Sequence, residues 1–211
     1  MSTIGWLVLD AMGVIYRARD DVAELLVPYL RDNGCRLADA EIEDLYRDAS
    51  LGRMTSSEFW QRCGVDGNDI EYITRHTLSP GLKGVLEDVT SRGIRVACLS
   101  NDVSEWAALQ RDHFGLAEFI DPWCISGDIG IRKPDAEAYR SLLSAIGADP
   151  RECLFVDDRR ENVDAARSVG LEAVLFGTRH FASLDWLRIA LVGPSGIRGG
   201  WTDTSGPQSP G

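Results

Sequence analysis

Apolar residues in this chain recur with two periods. Short, nearly unbroken apolar runs occupy positions 4–9, 94–99, 122–126, 152–156 and 172–176. Such runs fit strands covered on both faces, because a strand with one wet face would alternate with polar residues. Between the later runs the spacing turns helical. Val85, Leu86 and Val89 precede Gly93; Tyr139, Leu142, Leu143 and Ile146 precede Gly147; Val163, Ala166 and Val169 precede Gly170. A Gly just past the last periodic residue is a helix stop, since it enters the left-handed region without a Cβ clash. Strand and helix in alternation predict βαβ units, and so an α/β fold with a doubly wound parallel sheet of about five strands.

Residues 16–78 break the alternation. Helical stretches are expected near 20–33, 39–49, 56–63 and 68–77, with no strand among them. Asp39 and Ser56 are the expected N-caps, each with Glu shortly after. The block follows the first strand, so it is expected as a helical cap inserted over the strands' C-terminal ends. A cap there can exclude water and select substrate. The core would then comprise 1–15 and 79–192. Residues 193–211 are rich in Gly, Pro and Ser, bury too little apolar surface to order themselves, and are expected as a disordered tail.

Candidate chemistry collects at the ends of the apolar runs. Asp10 ends the first, before Ala11, Met12 and Gly13. Ser100 and Asn101 follow Leu99. Lys133 stands in the Gly-rich segment 127–135, with Pro134 expected at the first position of the next helix. Asp157 and Asp158 end the run 152–156. Singly, these read as a turn Asp, a helix cap, a solvated Lys and a capped loop. On one sheet they converge at its C-terminal edge. A carboxylate nucleophile, a hydroxyl, a Lys and an acidic Mg²⁺ pair make an inventory for phosphoryl transfer through an aspartyl-phosphate at Asp10.

Charge narrows the partners. Lys+Arg 22 against Asp+Glu 33 gives a net −11, which argues against nucleic acid or an anionic membrane surface. A small phosphorylated substrate still fits, because a local site can be positive. No apolar run approaches the roughly 20 residues that span a bilayer, and the N-terminus lacks a basic leader region. The five Cys residues, at 35, 63, 98, 124 and 153, form no C-x-x-C pair. An odd count without a disulfide framework suits a reducing compartment, so a cytoplasmic monomer or homodimer is expected.

Four motifs occur in order: Asp10-Ala11-Met12-Gly13-Val14-Ile15, Leu99-Ser100-Asn101, Arg132-Lys133-Pro134-Asp135, and Val156-Asp157-Asp158-Arg159-Arg160-Glu161-Asn162. On these the chain resembles the haloacid dehalogenase (HAD) superfamily of hydrolases. The resemblance is to the subgroup with an α-helical cap after the first motif, which holds epoxide-hydrolase-like and sugar-phosphate phosphatases. It implies a Rossmann-like three-layer core. It also implies Asp10 as nucleophile and Mg²⁺ ligand, with Asp158, Asp157 and the Met12 carbonyl as further ligands. Ser100 and Asn101, with the turn at Met12 and Gly13, would bind phosphate, and Lys133 would hold nucleophile and phosphate together.

The departure from the family's pattern is Met12. Phosphatases of this family usually carry Asp there, to protonate the leaving oxygen and then activate water. Met does neither. The expected function is therefore a Mg²⁺-dependent phosphatase whose substrate has a good leaving group, or which draws on a substitute acid such as Asp157, Glu161 or Asp20. The alternatives are phosphoryl transfer to another acceptor, C–X bond hydrolysis, or phosphate-ester binding without turnover. Dehalogenases of the family do not need the acidic metal pair that this chain keeps. In the cap, Arg53, Thr55 and Trp60 could face substrate, although Phe59 and Trp60 more simply suit the cap's core and Arg53 suits solvent. His76 and His113 have no ligand spacing.

Overall fold

The computed structural model describes residues 4–178 and 183–192. The expected tail, 193–211, lies outside the described residues. Five strands form one parallel sheet: β1 (Trp6–Leu9), β2 (Arg95–Ser100), β3 (Ile120–Ile125), β4 (Cys153–Asp157) and β5 (Glu172–Leu175), in the order β3-β2-β1-β4-β5. Reversal of the winding direction on either side of β1 creates a switch point at its C-terminal end. Register brings three strand tips together there. Leu9 pairs with Cys98 on one side and with Val156 on the other. Asp10, Ser100 and Asp157 therefore end neighbouring strands, which in any sheet lie about 4.8 Å apart.

Alternation within β1 explains the two core layers. Leu7 and Leu9 face a cluster with Val85, Leu86 and Val89 of α5 (Leu82–Ser91). Trp6 and Val8 face the other side, with Tyr139 and Leu142 of α8 (Ala136–Ile146) and Val163 of α9 (Arg160–Ser168). Both faces of the strand are dry, as its unbroken apolar run predicts. Helix α8, which follows the single turn α7 (Ser126–Ile129), stops at Gly147, whose φ is +61°, as the Gly signal predicts.

Between β1 and β2 come a π-helical turn (Val22–Leu26) running into α1 (Val27–Asp32), then α2 (Asp39–Ala49), α3 (Ser56–Arg62) and α4 (Asp69–Ile73). Three local expectations need correction. The N-caps lie one residue earlier than expected: Thr55 Oγ1 accepts the Glu58 N–H at 3.2 Å, and Ala38 precedes α2 with its N–H held by the Glu41 carboxylate. Helix α4 ends at Ile73 rather than near 77, because the chain turns back to pair with the end of the first motif. Arg17 N–H donates to Thr77 O, and Ser79 N–H donates to Ile15 O, both at 2.9 Å. Pro134 does not open α8. Asp135 is its N-cap and accepts the Glu137 N–H at 2.9 Å.

The helices of 22–73 share an apolar cluster that also takes in Val103 and Trp106. Trp106 belongs to α6 (Ser104–Phe114), which follows β2. One carboxylate ties the two parts together. Asp69 Oδ1 accepts the indole N–H of Trp60 and that of Trp106, both at 2.7 Å, while Oδ2 accepts the Ser56 hydroxyl at 2.7 Å. Buried indole N–H groups need such an acceptor, so Asp69 fixes the inserted helices against α6.

Candidate active site

The centre of the site is a buried ion triad. The Lys133 ammonium donates to Asp10 Oδ1 at 2.6 Å and to Asp157 Oδ2 at 2.8 Å, and all three side chains are nearly sealed from solvent. Burial alone would push the Lys133 ammonium down, but Asp10 and Asp157 outweigh it and carry the value up. Asp10 moves upward because of burial first and the Asp157 charge second, with Lys133 pulling the other way. The ammonium therefore limits that rise and favours the Asp10 anion. Ala11 N–H also donates to Asp10 Oδ1, at 2.7 Å.

Asp157 is fully engaged. Beyond Lys133 it accepts both contacts of the Asn162 amide, at 3.0 Å each, and the Arg159 N–H at 2.8 Å. Asp158 accepts Arg19 Nε at 2.8 Å on Oδ2, while its buried Oδ1 has no hydrogen-bond partner. Burial raises its value, against the pull of Arg19. Asp10, Asp157 and Asp158 each offer an oxygen within 4.8 Å of the others. Three crowded carboxylates and one orphaned oxygen fit a hard divalent cation, which takes oxygen ligands. Gly13 makes the approach possible: its φ is +77°, and a Cβ there would lie 2.4 Å from Asp158 Oδ2.

The remaining predicted residues fall around this centre with differing parts. Ser100 Oγ is buried without a partner and borders the cavity. It does not cap α6, whose N-cap is Val103. Asn101 works on the Lys133 loop: its amide donates to Lys133 O at 2.9 Å and accepts Lys133 N–H at 2.8 Å. Gly13 directs its N–H to Ala18 O at 2.7 Å. Met12 is buried at the cavity wall.

A cavity of about 230 Å³ opens above Asp10, Lys133, Ser100 and Asn101. The inserted helices contribute Asp20, Asp21, Val22, Glu43, Asp44, Tyr46 and Arg47 to its lining, and Arg19, Arg132 and Arg159 add positive charge. Five basic and five acidic side chains line the cavity, so it is far closer to charge balance than the chain as a whole. Arg53, Thr55 and Trp60 are absent from the lining. Arg53 pairs with Asp48 at 2.7 Å, Thr55 caps α3, and Trp60 is held in the apolar cluster by Asp69. Of the three substitute acids, Asp157 is enclosed by donors and Glu161 does not line the cavity; Asp20 is exposed and accepts the Ala23 N–H.

Sequence reasoning missed Asp21 and Tyr46. The only signal was the charged run Arg19-Asp20-Asp21 just after the first motif, and Tyr46 reads from its spacing as cap core. Asp21 is buried, and Tyr46 Oη donates to its Oδ2 at 3.4 Å and lies 3.2 Å from Asn101 O. Burial, then the neighbouring Asp20 charge, pushes the Asp21 carboxyl up to about 6. The folded carboxyl thus binds its proton more tightly than the unfolded one. Folding stability from this group is full below about pH 4 and declines as pH rises through 6, a change of about 3 kcal/mol. Asp21→Asn should therefore melt higher than the unaltered chain at pH 8, and the two should converge at pH 4. Parallel melting curves at both pH values would contradict this.

Comparisons with known proteins agree with this fold. Phosphatase MT3486 of Mycobacterium tuberculosis (strain CDC 1551 / Oshkosh) is 28% identical over 199 residues, covering 82% of this chain and 87% of that protein. A HAD phosphatase from Thermococcus onnurineus superposes with a TM-score of 0.71 at 21% identity, over 90% of this chain and 99% of that one. The HAD family enzyme bt-2542 from Bacteroides thetaiotaomicron, in complex with magnesium and inorganic phosphate, superposes with a TM-score of 0.62 at 18% identity, over 82% and 94% of the two chains. Residues 7–170 match the haloacid dehalogenase-like hydrolase family, and the chain belongs to it.

Proposed function

We propose that this hydrolase is a phosphatase of small phosphorylated metabolites, working through an aspartyl-phosphate on Asp10. The observation that carries this reading is the Lys133 ammonium 2.6 Å from Asp10, beside the unpartnered Ser100 hydroxyl and the acidic cluster. An Asp10 oxygen would bond to phosphorus as the bond to the leaving oxygen breaks. Lys133 and Ser100 would hold the phosphoryl oxygens, and Asn101 would position the Lys133 loop. Water would then attack phosphorus, releasing phosphate and restoring Asp10. Residues 16–78 would serve as the cap over a core of 1–15 and 79–192.

Asp10, Asp157, Asp158 and the Met12 carbonyl would hold Mg²⁺. When bound, the cation supplies positive charge against the negative charge of the phosphoryl group. The relatives named phosphatases, and the magnesium and phosphate complex of bt-2542, support the reading. Its test is a phosphate-release screen across sugar phosphates, nucleotides, prenyl diphosphates and aryl phosphates, with magnesium and with chelator. Magnesium-dependent release from some ester is expected; release from none would overturn the reading.

Met12 separates turnover from binding. Met12→Asp places a carboxylate at the cavity wall and is expected to speed hydrolysis of alkyl phosphates about 10²-fold, the lower end of general acid–base help. Steady-state rates on one alkyl ester check this. An unchanged rate would mean that a missing acid at position 12 does not limit the reaction.

A further inference from the structure

We propose that Asp21, on the cap side of the cavity, takes over the acid–base work that Met12 cannot perform. The inference rests on the phosphatase reading above. Attack by Asp10 from the strand tip sends the leaving oxygen away from the sheet, since nucleophile and leaving group are in line. That direction leads to the wall built by the inserted helices. Asp20, Glu43 and Asp44 on this wall are exposed, whereas Asp21 is buried and still borders the cavity. A water-excluded carboxyl transfers a proton more effectively than a solvated one.

Its surroundings hold it in place. Tyr46 Oη donates to Asp21 Oδ2 and also reaches Asn101 O, which ties Asp21 to the segment between Ser100 and the Lys133 loop. The groups acting on it electrostatically are Asp20 and Arg159, with Tyr46 and Tyr72 of α2 and α4, Asp102 after β2, and Arg132 before α8. Burial first and the Asp20 charge second push its proton affinity up, and Arg159 restrains it. The outcome, about 6, keeps both proton states accessible near neutrality.

The steps balance. As the phosphorus–oxygen bond to the leaving group breaks, the Asp21 proton moves to that oxygen, giving the free alcohol, phospho-Asp10 and the Asp21 carboxylate. The carboxylate then takes a proton from the attacking water, whose oxygen bonds to phosphorus as the bond to Asp10 breaks. Phosphate leaves, and Asp21 is protonated again.

The test compares two magnesium-loaded reactions, one with an alkyl phosphate and one with an aryl phosphate whose phenol is acidic and needs no proton. Asp21→Asn should lower kcat about 10²-fold for the alkyl ester and less than about threefold for the aryl ester. The decline in alkyl-ester kcat on the alkaline side of the profile should vanish with it. In the Met12→Asp background Asp21→Asn should cost the alkyl ester less than about threefold, because the carboxylate at position 12 then carries the proton, whereas a merely structural role would cost both backgrounds equally. Equal losses on both esters, or no loss on either, would overturn the assignment while leaving the phosphatase reading intact. An unaltered enzyme that releases phosphate from no ester would overturn both.

Discussion

Asp10→Asn is expected to lower ester hydrolysis by about 10⁴-fold or more, as when the nucleophile of a covalent mechanism is removed. The amide is close in shape but is no nucleophile, and it cannot act as a charged ligand. The fold should survive, because the change relieves crowding among three carboxylates within 4.8 Å. One consequence is specific. Lys133 would lose one of its two anions, so its remaining partner would be Asp157, 2.8 Å away. The variant should still bind inorganic phosphate, since Ser100 and Lys133 remain. Phosphate binding without turnover, followed by calorimetry and steady-state rates, is the expected combination. Appreciable turnover in Asp10→Asn would remove Asp10 from the role of nucleophile.

Lys133→Met has the second-largest expected effect, and it touches folding as well as activity. Removing one member of a buried ion pair leaves uncompensated charge and costs about 3–5 kcal/mol. Here two carboxylates lose the same partner, and Asp10 loses the charge that opposes its upward displacement, keeping the Ala11 N–H. Asp10 is then protonated over a wider pH range, so residual activity should appear only at higher pH than in the unaltered enzyme. Magnesium should raise the melting temperature of Lys133→Met by more than it raises that of the unaltered chain, because the cation replaces the missing positive charge. A variant as stable as the unaltered chain in chelator would contradict the triad's part in folding.

The elements that were legible in the sequence are those whose neighbours follow from periodicity alone. The run at 152–156 and the helical spacing through Tyr139 and Ile146 each specify which faces are dry, and the sheet and α8 formed accordingly. Asp10 and Asp157 could be read as partners because they end strands of one parallel sheet, and register then sets them side by side. The acidic cluster with Asp158 follows the same logic. Helix ends were less legible. Thr55 rather than Ser56 caps α3, a choice between two adjacent hydroxyls that turns on which of them reaches the Glu58 N–H. The end of α4 depended on a contact with Ile15 and Arg17, distant in sequence, which no local pattern encodes.

The cavity's upper wall was the least legible part. Asp21 and Tyr46 meet across 25 residues, and the burial that alters Asp21 arises only when the inserted helices pack on the core. Asp69 poses the same difficulty: it reads as an ordinary first-turn acid of α4, yet it accepts two indole N–H groups from Trp60 and Trp106. Polar residues whose partners lie on other elements carry no period. Asn101 belongs with them, since its hydrogen bonds to the Lys133 backbone span 32 residues.

The measurement that bears most directly on the central claim is acid-quenched peptide mapping of the enzyme during turnover of its best phosphate ester. One phosphoryl group is expected on the peptide that carries Asp10, labile to hydroxylamine as an acyl phosphate is. Turnover with that peptide unmodified and a phosphoryl group on another residue would contradict that claim.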